Sequence, residues 1–489
     1  MTDLSARLER LTPAQRALLD RRLADRQRAT SVGAIPRRAR RDRARLTDAQ
    51  ERIWLHRQRQ PDDPAHNVPS AWRLRGRLDL DALTRAVHAV MARHEVLRST
   101  FELDGDQPVQ VIHPHLPFAV RTIDLSDLPP ERREEQMWQE ARAEGNRPFY
   151  LHSGPLLRML AIRLADDEHV LVRIFDHMIW DRASMGIFGQ EVAGFYRAYV
   201  EGGTYDPPPL PIQYGDYAEW QPEWIEREVR VRHLPYWRRQ LAGTPPAREL
   251  PTDHPERRGA TNRSGQHYFR LSPELTGALR RFAHEERTTL NVVLLAVWKF
   301  LLHRLTGAED VVVGTNSSTR RRAETEPLMG LFLTMLPLRT TVRSELTFRE
   351  LVAATRRTMT GALDHHDIPI GVILDELNIG RGVGLGALYR AAFIMVDFRH
   401  EAPLSMAGLD LEPLMLEKQT VTIDLSIGYF DEAGEDSVYG MIEYNADLFT
   451  VATIDRMWQQ LDLLLHGAVA TPDRPMAELP TPTGDGAER

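Results

Sequence analysis

Residues 169–181 read HVLVRIFDHMIWD, and this stretch decides the predicted fold. Apolar and β-branched residues fill positions 169–175 on both faces of an extended chain, which is typical of a buried strand. Asp176 and His177 follow and indicate a turn. Helical spacing then begins and is kept by Met185, Phe188, Val192, Phe195 and Tyr199. The pattern predicts a strand, a turn and a helix in that order.

The same alternation continues on both sides of this stretch. Residues 80–94 have the periodicity of a helix, and residues 156–164 have the composition of a strand. Further along, residues 289–305 predict a helix and residues 310–314 predict a strand. We therefore expect a mixed α/β fold in which a second lobe repeats the architecture of the first, without a detectable sequence repeat.

Changes in composition divide the chain. The proline-rich residues 206–211 mark a boundary near its middle. The predicted organisation is an N-terminal helix and basic linker over residues 1–45, an N-terminal lobe over 46–215, a C-terminal lobe over 216–470, and a flexible tail or linker over 471–489. In the first segment, residues 12–15 (TPAQ) form a capping box that begins an amphipathic helix, and the arginine-rich residues 35–45 predict a solvated linker.

Composition also excludes some classes of function. The 489 residues include no cysteine, so disulfides and thiolate metal sites are ruled out and the cytoplasm is the expected compartment. The formal net charge of −7 disfavours nucleic-acid binding, which depends on an excess of basic residues. The most apolar window, residues 291–305, is too short to span a membrane. We expect no nucleic-acid partner and no membrane association.

Two further patterns are set aside. The glycine-rich residues 380–386 lack a following Lys-Ser/Thr pair and the spacing of a dinucleotide site, so they predict a flexible loop. The histidines in residues 113–115 and 365–367 lack the spacing of metal ligands, and we expect no metal. No Gly-x-Ser-x-Gly elbow is present, which disfavours a serine hydrolase.

His177 is the candidate catalytic residue. A histidine on a turn between a strand and a helix is held from both sides while its ring can face a cleft, and its usual pKa of ~6.5 suits proton transfer near neutral pH. Taken alone, such a residue is more often a hydrogen-bonded structural histidine than a catalytic one. Asp181, just before the predicted helix, is consistent with either an N-cap or a catalytic group. Spacing alone leaves both alternatives open.

A series of motifs spans the chain from residue 46 to about residue 465. In chain order they are residues 46–55 (LTDAQERIWL), 93–101 (RHEVLRSTF), 176–182 (DHMIWDR), 214–220 (YGDYAEW), 329–332 (MGLF) with 336–339 (LPLR), 366–369 (HDIP), 424–426 (DLS) and 443–449 (EYNADLF). Their order and approximate spacing resemble those of the condensation domains of nonribosomal peptide synthetases. The first two motifs are fairly specific to that family.

The resemblance implies a fold and a set of roles. The fold would be α/β, with two chloramphenicol acetyltransferase-like lobes in a V-shaped pseudo-dimer around a central tunnel. His177 would be the second histidine of the family's His-His-x-x-x-Asp-Gly motif and would contact the acceptor nucleophile. Asp181 would be structural and ion-paired with Arg320, and Asn445 is a weaker candidate for a polar group near the thioester. Trp180 and Ser184 would line the site.

The sequence departs from the family pattern at the edges of this motif. Asp176 stands where the family has its first histidine, and Arg182 replaces the motif glycine. In the fifth motif the family's Asn-Thr is replaced by Thr334-Met335, and residues 387–390 (ALYR) differ from the usual seventh motif. Arg182 puts a long cation where the family has bare backbone, so it could narrow the tunnel or occupy the site.

Three alternatives stay open. Asp176, Asp181 and Ser184 also fit the Asp-x-x-x-x-Asp-x-x-Ser signature of heterocyclisation domains. Arg182 raises the possibility of a catalytically silent member that recruits partner enzymes to a carrier-bound peptide. His177 and Asp181 satisfy the His-x-x-x-Asp signature of coenzyme A dependent acyltransferases, although the other motifs argue against that class.

The resemblance predicts an enzyme that forms an amide or ester bond between a carrier-bound acyl thioester and an amine or hydroxyl acceptor. No cofactor would be bound permanently, since 4'-phosphopantetheine would arrive on partner carrier proteins. Neighbouring synthetase domains are further expected partners, because residues 475–480 resemble the linker into an adenylation domain. The chain would be either an excised domain or a free-standing enzyme, and we expect a monomer.

Overall fold

The computed structural model describes residues 34–259, 261–379, 385–397, 405–432 and 435–479. The helix predicted to begin near residue 12 lies outside the described residues, as do residues 380–384 of the glycine-rich loop and residues 480–489 of the predicted tail. The strand, turn and helix predicted from residues 169–199 are all present. The mixed α/β prediction is therefore confirmed for the described chain.

The strands form three sheets within the described residues. A small sheet has the strand order β1-β4-β3, a second has the order β12-β2-β7-β6-β5, and a third has the order β10-β9-β11-β13-β14-β8. The strands are β1 (Arg43–Arg45), β2 (Asn67–Arg75), β3 (Ser99–Asp104), β4 (Gln107–Ile112), β5 (Arg121–Asp124), β6 (Leu157–Ala165), β7 (Glu168–Asp176), β8 (Ser264–Arg270), β9 (Asp310–Ser318), β10 (Leu333–Thr341), β11 (Ala391–Asp397), β12 (Asp410–Leu414), β13 (Leu425–Asp431) and β14 (Tyr439–Asn445).

Helices cover the faces of these sheets. They are α1 (Asp48–Arg59), α2 (Leu80–Arg93), α3 (Pro130–Asn146), α4 (Arg182–Glu201), α5 (Tyr214–Trp224), α6 (Leu234–Gln240), α7 (Pro273–Glu285), α8 (Leu290–Thr306), α9 (Phe348–Asp364), α10 (Ile370–Glu376) and α11 (Val451–Ala470). Among the described residues, no single helix meets the length and hydropathy expected of a membrane span, and the bent pair α7 and α8 meets them only jointly.

The N-terminal core lies between the β2-β7-β6 region and two helices. Strand β7 is buried from His169 to Asp176, and α2 packs on α4. Apolar residues at helical spacing in α2, among them Leu83, Val87 and Val90, are fully buried there. Burial of such side chains stabilises the fold by roughly 1.5–3 kcal/mol each. The buried strand and the paired helices hold the turn after Asp176 in place.

The C-terminal core is built around α8. This helix is buried from Val292 to Leu302, and α11 and the sheet containing β9 and β13 pack against it. A helix that is apolar on all sides needs neighbours on all sides, which explains its central position. The described residues therefore form two hydrophobic cores.

Two segments from the second half of the chain join the N-terminal core. Strand β12 pairs antiparallel with β2, and Met406 and Leu409 are buried against the same core. Residues 328–332 also pack there through Leu328, Met329, Leu331 and Phe332. The predicted C-terminal lobe, residues 216–470, thus contributes a strand and a loop to its neighbour, which a boundary drawn from composition does not reveal.

Residues 35–45, predicted to be a solvated linker, pack against the fold at Ile35, Arg38 and Ala44, while most of the other residues in the segment are exposed. Ile35 is 3% exposed and Ala44 is 2% exposed, and Arg43–Arg45 pair with β4 as strand β1. The Arg38 guanidinium lies 2.7 Å from Glu95 and 2.9 Å from Asp216. The basic run is stable in the fold because distant carboxylates neutralise it, and the sequence pattern gives no sign of that pairing.

The first part of the predicted tail is also packed. Met476 is buried in the C-terminal core, and its backbone N–H donates to Leu346 O at 2.8 Å. Arg304 of α8 donates to Leu479 O at 2.9 Å. The prediction of a loose tail is therefore wrong for residues 471–479, where backbone hydrogen bonds and one buried methionine attach the chain to α8.

Candidate active site

The turn that carries His177 is fixed by its two ends. Strand β7 ends at Asp176, residues His177–Ile179 form one short helical turn, and α4 begins at Arg182. Asp181 is the N-cap of α4, since its carboxylate accepts from Ser184 N at 2.8 Å and Ser184 Oγ at 2.7 Å. The N-cap interpretation of Asp181 is thus seen directly.

His177 has one ring nitrogen engaged by the backbone. Its Nδ1 lies 2.6 Å from the carbonyl oxygen of Trp180. Because a carbonyl only accepts hydrogen bonds, Nδ1 carries the proton in this arrangement and Nε2 is left as the basic nitrogen. Burial, reinforced by the charge of Lys418, lowers the pKa of His177 below its usual value. The imidazole is therefore held neutral with Nε2 able to accept a proton.

Asp176, at the position of the family's first histidine, is held by an arginine. Its side chain is fully buried and pairs with Arg57 of α1, with Oδ2 and Nη2 2.7 Å apart. Its other oxygen accepts from Met178 N at 2.8 Å and so stabilises the turn around His177. Asp176 consequently connects α1 to the end of β7.

Asp181 is bound by Arg320, the partner expected from the sequence. Nη2 of Arg320 lies 2.9 Å from Oδ1 of Asp181, and Nε lies 3.1 Å from Oδ2. Arg320 also donates to Thr325 O at 2.7 Å, and its guanidinium stacks 4.1 Å from the ring centre of Phe332. Such a two-point pair is directional and its charges are fully compensated, which suits a buried position.

Ser184 and Gly330 form a second link beside this ion pair. Gly330 N donates to Ser184 Oγ at 3.0 Å, and the carbonyl oxygen of Gly330 lies 3.1 Å from the same hydroxyl. Gly330 has a φ of 146°, and a Cβ there would lie 2.0 Å from the ring of Tyr214. Only glycine fits this position, which explains the glycine of the fifth motif.

A cavity of about 960 Å³ lies beside the start of α4. The residues that line it include Trp72, Arg173, Asp181, Arg182, Arg197 and Phe332. Its size is within the range of small-molecule sites. Arg182 is exposed at its wall, whereas His177 and Asp176 are not among its lining residues in the described chain.

Trp180 and Asn445 lie elsewhere than the expected site lining. The Trp180 ring is 2% exposed and stacks on Phe175 at 3.5 Å, inside the N-terminal core. Asn445 ends β14, where its side chain accepts from Asp447 N at 3.0 Å and donates to Asn262 at 3.2 Å. The Trp180 side chain is therefore part of the core packing, and the Asn445 side chain stabilises a turn through its hydrogen bonds.

Sequence reasoning missed His66, a histidine near His177, and the polar residues that contact it. His66 lies close enough for its charge to be coupled to His177, and burial lowers the pKa of His66 well below its usual value. His56 contacts His66 edge to face at 4.9 Å and lies 2.9 Å from Asp63. These residues are far from His177 in sequence and share no motif spacing with it, so no sequence signal could have found them.

The fold and the histidine turn define an acyltransferase-like α/β protein, and comparison with known proteins names the family. The family model "Condensation domain" matches residues 40–488. This chain belongs to the condensation domain family, as its motifs predicted. The chloramphenicol acetyltransferase-like fold class is thereby confirmed.

Relatives with curated descriptions are long synthetases. The chain is 38% identical over 436 residues to a linear gramicidin synthase of Brevibacillus parabrevis, and the match covers 89% of this chain and 8% of that protein. It is 35% identical over 486 residues to phosphinothricin tripeptide synthetase PhsC of Streptomyces viridochromogenes, covering 99% of this chain and 45% of that protein. The chain therefore spans less than half the length of either relative.

A solved structure supports the same fold. The chain is similar to the X-domain solved in complex with OxyB from teicoplanin biosynthesis, with a TM-score of 0.82 and 26% sequence identity. The match covers 92% of this chain and 99% of that one. The arrangement of helices and sheets described above is thus shared with a known structure over nearly the whole of both chains.

Proposed function

We propose that this chain catalyses condensation of a carrier-bound acyl thioester with an amine or hydroxyl acceptor. Family membership supports the reaction class. The observation that carries the proposal is the hydrogen bond from His177 Nδ1 to the Trp180 carbonyl, which leaves Nε2 as a base. A base of this kind needs no second catalytic group to accept a proton from the acceptor.

In the proposed reaction the acceptor nitrogen or oxygen attacks the thioester carbonyl. A C–N or C–O bond forms, the C–S bond breaks, and the acceptor proton passes to His177 Nε2 and then to the departing thiolate. The phosphopantetheine arms come with the carrier-bound substrates. Delivery of two tethered reactants to one site can lower the barrier by several kcal/mol, so a single well-placed histidine is enough.

The remaining motif residues act through position in this proposal. Asp176 and Asp181 hold the two ends of the His177 turn through Arg57 and Arg320. Neither carboxylate is free to exchange protons without loss of a buried ion pair. The catalytic role is therefore proposed for His177 alone.

The test is a mass-spectrometric assay with an acyl-loaded donor carrier and candidate acceptors. His177→Ala should lower the rate about 10²–10⁴-fold, the usual contribution of a general base. His169→Ala is the matched control, because His169 is a buried histidine of β7 that lies eight positions before His177. Unchanged turnover in His177→Ala would exclude the general-base role, and a product lighter by one further water would indicate heterocyclisation.

A partner-recruiting role without catalysis is the second candidate. It is favoured by Arg182, which replaces the motif glycine and lies exposed at the cavity wall, and by the likeness to an X-domain solved with OxyB. This role predicts no product with any carrier pair together with retained partner binding. Arg182→Gly separates the two, since a gain of turnover would show that Arg182 blocks an otherwise competent site.

A further inference from the structure

Arg173 is a buried arginine that faces the 960 Å³ cavity without an anionic partner. Its residue is 4% exposed, and its Nε has no hydrogen-bond partner. Among the described residues, no ion pair or side-chain hydrogen bond of its guanidinium is found, whereas Arg57 and Arg320 are each paired with a buried aspartate. A buried charge without a counter-ion is unfavourable. An anion bound beside Arg173 would therefore lower the free energy of the site.

The surroundings of Arg173 hold its guanidinium in place. The group stacks 3.8 Å from the ring centre of Trp72 and lies 5.7 Å from that of Phe188. Strand pairing fixes this geometry, because Trp72 and Ser70 of β2 lie opposite Leu171 and Arg173 of β7. Burial lowers the pKa of Arg173 to about 9, and no carboxylate counteracts that effect. At neutral pH the group is still a cation, stacked and oriented with its edge available.

Arginines outnumber carboxylates on the cavity wall. Arg182 and Arg197 line the cavity together with Arg173. The acidic residue among the lining side chains is Asp181, and Arg320 already compensates it with a contact of 2.9 Å. Arg173 is thus a cation on the cavity wall, and its planar guanidinium is suited to two-point binding of a carboxylate.

We infer that this cavity binds the side chain of an acyl or aminoacyl substrate that carries a carboxylate, which pairs with Arg173. The inference rests on the proposed function, since it names the substrate class of the same site. The cavity adjoins the proposed reaction centre through Asp181, which lines it and also caps the helix that follows the His177 turn. The phosphate of a carrier arm is the alternative anion for Arg173.

The experiment measures binding rather than turnover, so that it can succeed or fail independently of condensation. The probes are two pantetheine amides that carry glutamate or glutamine, which differ only in carboxylate against amide. Equilibrium dissociation constants are measured by calorimetry for the wild-type chain, Arg173→Met and Arg85→Met. Arg85 is the matched control, because its guanidinium also stacks on an aromatic ring, that of Tyr199 at 4.1 Å, but lies outside the cavity.

The wild-type chain and Arg85→Met should bind the glutamate probe about 10- to 100-fold more tightly than the glutamine probe, the usual range for a charge-assisted hydrogen bond. Arg173→Met should lose that preference. Arg173→Lys, which keeps the charge, should retain part of it and serves if the methionine variant unfolds. Equal binding of the two probes to the wild type, or a preference that survives in Arg173→Met, would overturn the inference.

Phosphopantetheine and pantetheine form a further pair of probes. Binding that depends on the phosphate and is lost in Arg173→Met would assign the site to the carrier arm and would also overturn the inference. A glutamate preference in a chain that forms no condensation product would contradict the proposed function and leave the carboxylate site standing.

Discussion

Asp181 and Arg320 form a two-point ion pair between the N-terminal end of α4 and the loop that follows β9, with contacts of 2.9 Å and 3.1 Å. The first residue belongs to the N-terminal core and the second follows a strand of the C-terminal core. The same carboxylate accepts from Phe332 N at 3.2 Å. One aspartate thus caps a helix and connects two parts of the fold.

Asp181→Asn should lower the free energy of unfolding by about 3–5 kcal/mol, because it leaves Arg320 buried with its charge uncompensated. The measurement is urea denaturation followed by circular dichroism. Asp42→Asn is the control, since Asp42 pairs with Arg40 at a site where both side chains are more than 60% exposed. That variant should change stability by about 1 kcal/mol or less. Equal effects of the two substitutions would show that the buried pair adds nothing.

The sequence was sufficient for local features of the site. The strand from His169, the turn at His177 and the cap at Asp181 follow from periodicity and residue type, and each is present. The partner Arg320 came from family resemblance. By contrast, Arg173 and His66 could not be recognised from the sequence. Their importance depends on the side chains that lie beside them in the folded chain, and those side chains are distant in sequence. The sequence does not distinguish a buried arginine that has a carboxylate partner from one that has none.

The pH profile of kcat/KM should fall on its acid side, at a pH below the usual pKa of histidine. The imidazole is the base, burial disfavours its protonated form, and the pKa therefore lies below ~6.5. As pH falls through that lowered pKa, His177 gains a proton and kcat/KM should fall in proportion. At pH 7 and above, the histidine is neutral and this limb is absent. The check is the pH profile of kcat/KM for the condensation assay.

Lys418 provides the control for that profile. Its positive charge also lowers the pKa of His177, so Lys418→Gln should shift the acid limb to higher pH. Glu417→Gln removes the charge next to Lys418 in sequence. Glu417 is not among the groups that shift the pKa of His177, so this variant should leave the acid limb at the same pH. A limb that does not move in Lys418→Gln would argue that another group controls it.

Lys299 should make stability depend on pH in the alkaline range. It is fully buried in α8, its ammonium donates to Thr340 at 2.5 Å, and burial lowers its pKa to about 7. In the unfolded chain its pKa is ~10.4, so between pH 7 and that value the unfolded state binds more protons. Stability should therefore rise with pH by several kcal/mol across this window, from this residue alone.

Lys299→Met keeps most of the volume and removes the proton. Compared with the wild type, the variant should show a flatter dependence of unfolding free energy on pH above 7, and at pH 7 it should be at least as stable. Urea denaturation at a series of pH values measures both quantities. Parallel curves for the two proteins would mean that Lys299 is not charged differently in the folded and unfolded states.

Asp176 and Arg57 should behave as one unit, even though the family has a histidine at the first position. Asp176→His leaves Arg57, which is 3% exposed, without its carboxylate, and it also removes the acceptor for Met178 N. A loss of about 3–5 kcal/mol is expected, rather than a gain from restoring the family residue.

Arg57→Met should also be destabilising, because it leaves Asp176 buried and charged and removes a donor to the Asp63 carbonyl at 2.6 Å. The double variant Asp176→His/Arg57→Met should lose less than the sum of the two single losses, since neither charge is then left alone. A double-mutant cycle from urea denaturation gives the coupling. Additive losses would mean that the 2.7 Å contact carries no interaction energy, and the departure from the family motif at Asp176 would then need another explanation than its pairing with Arg57.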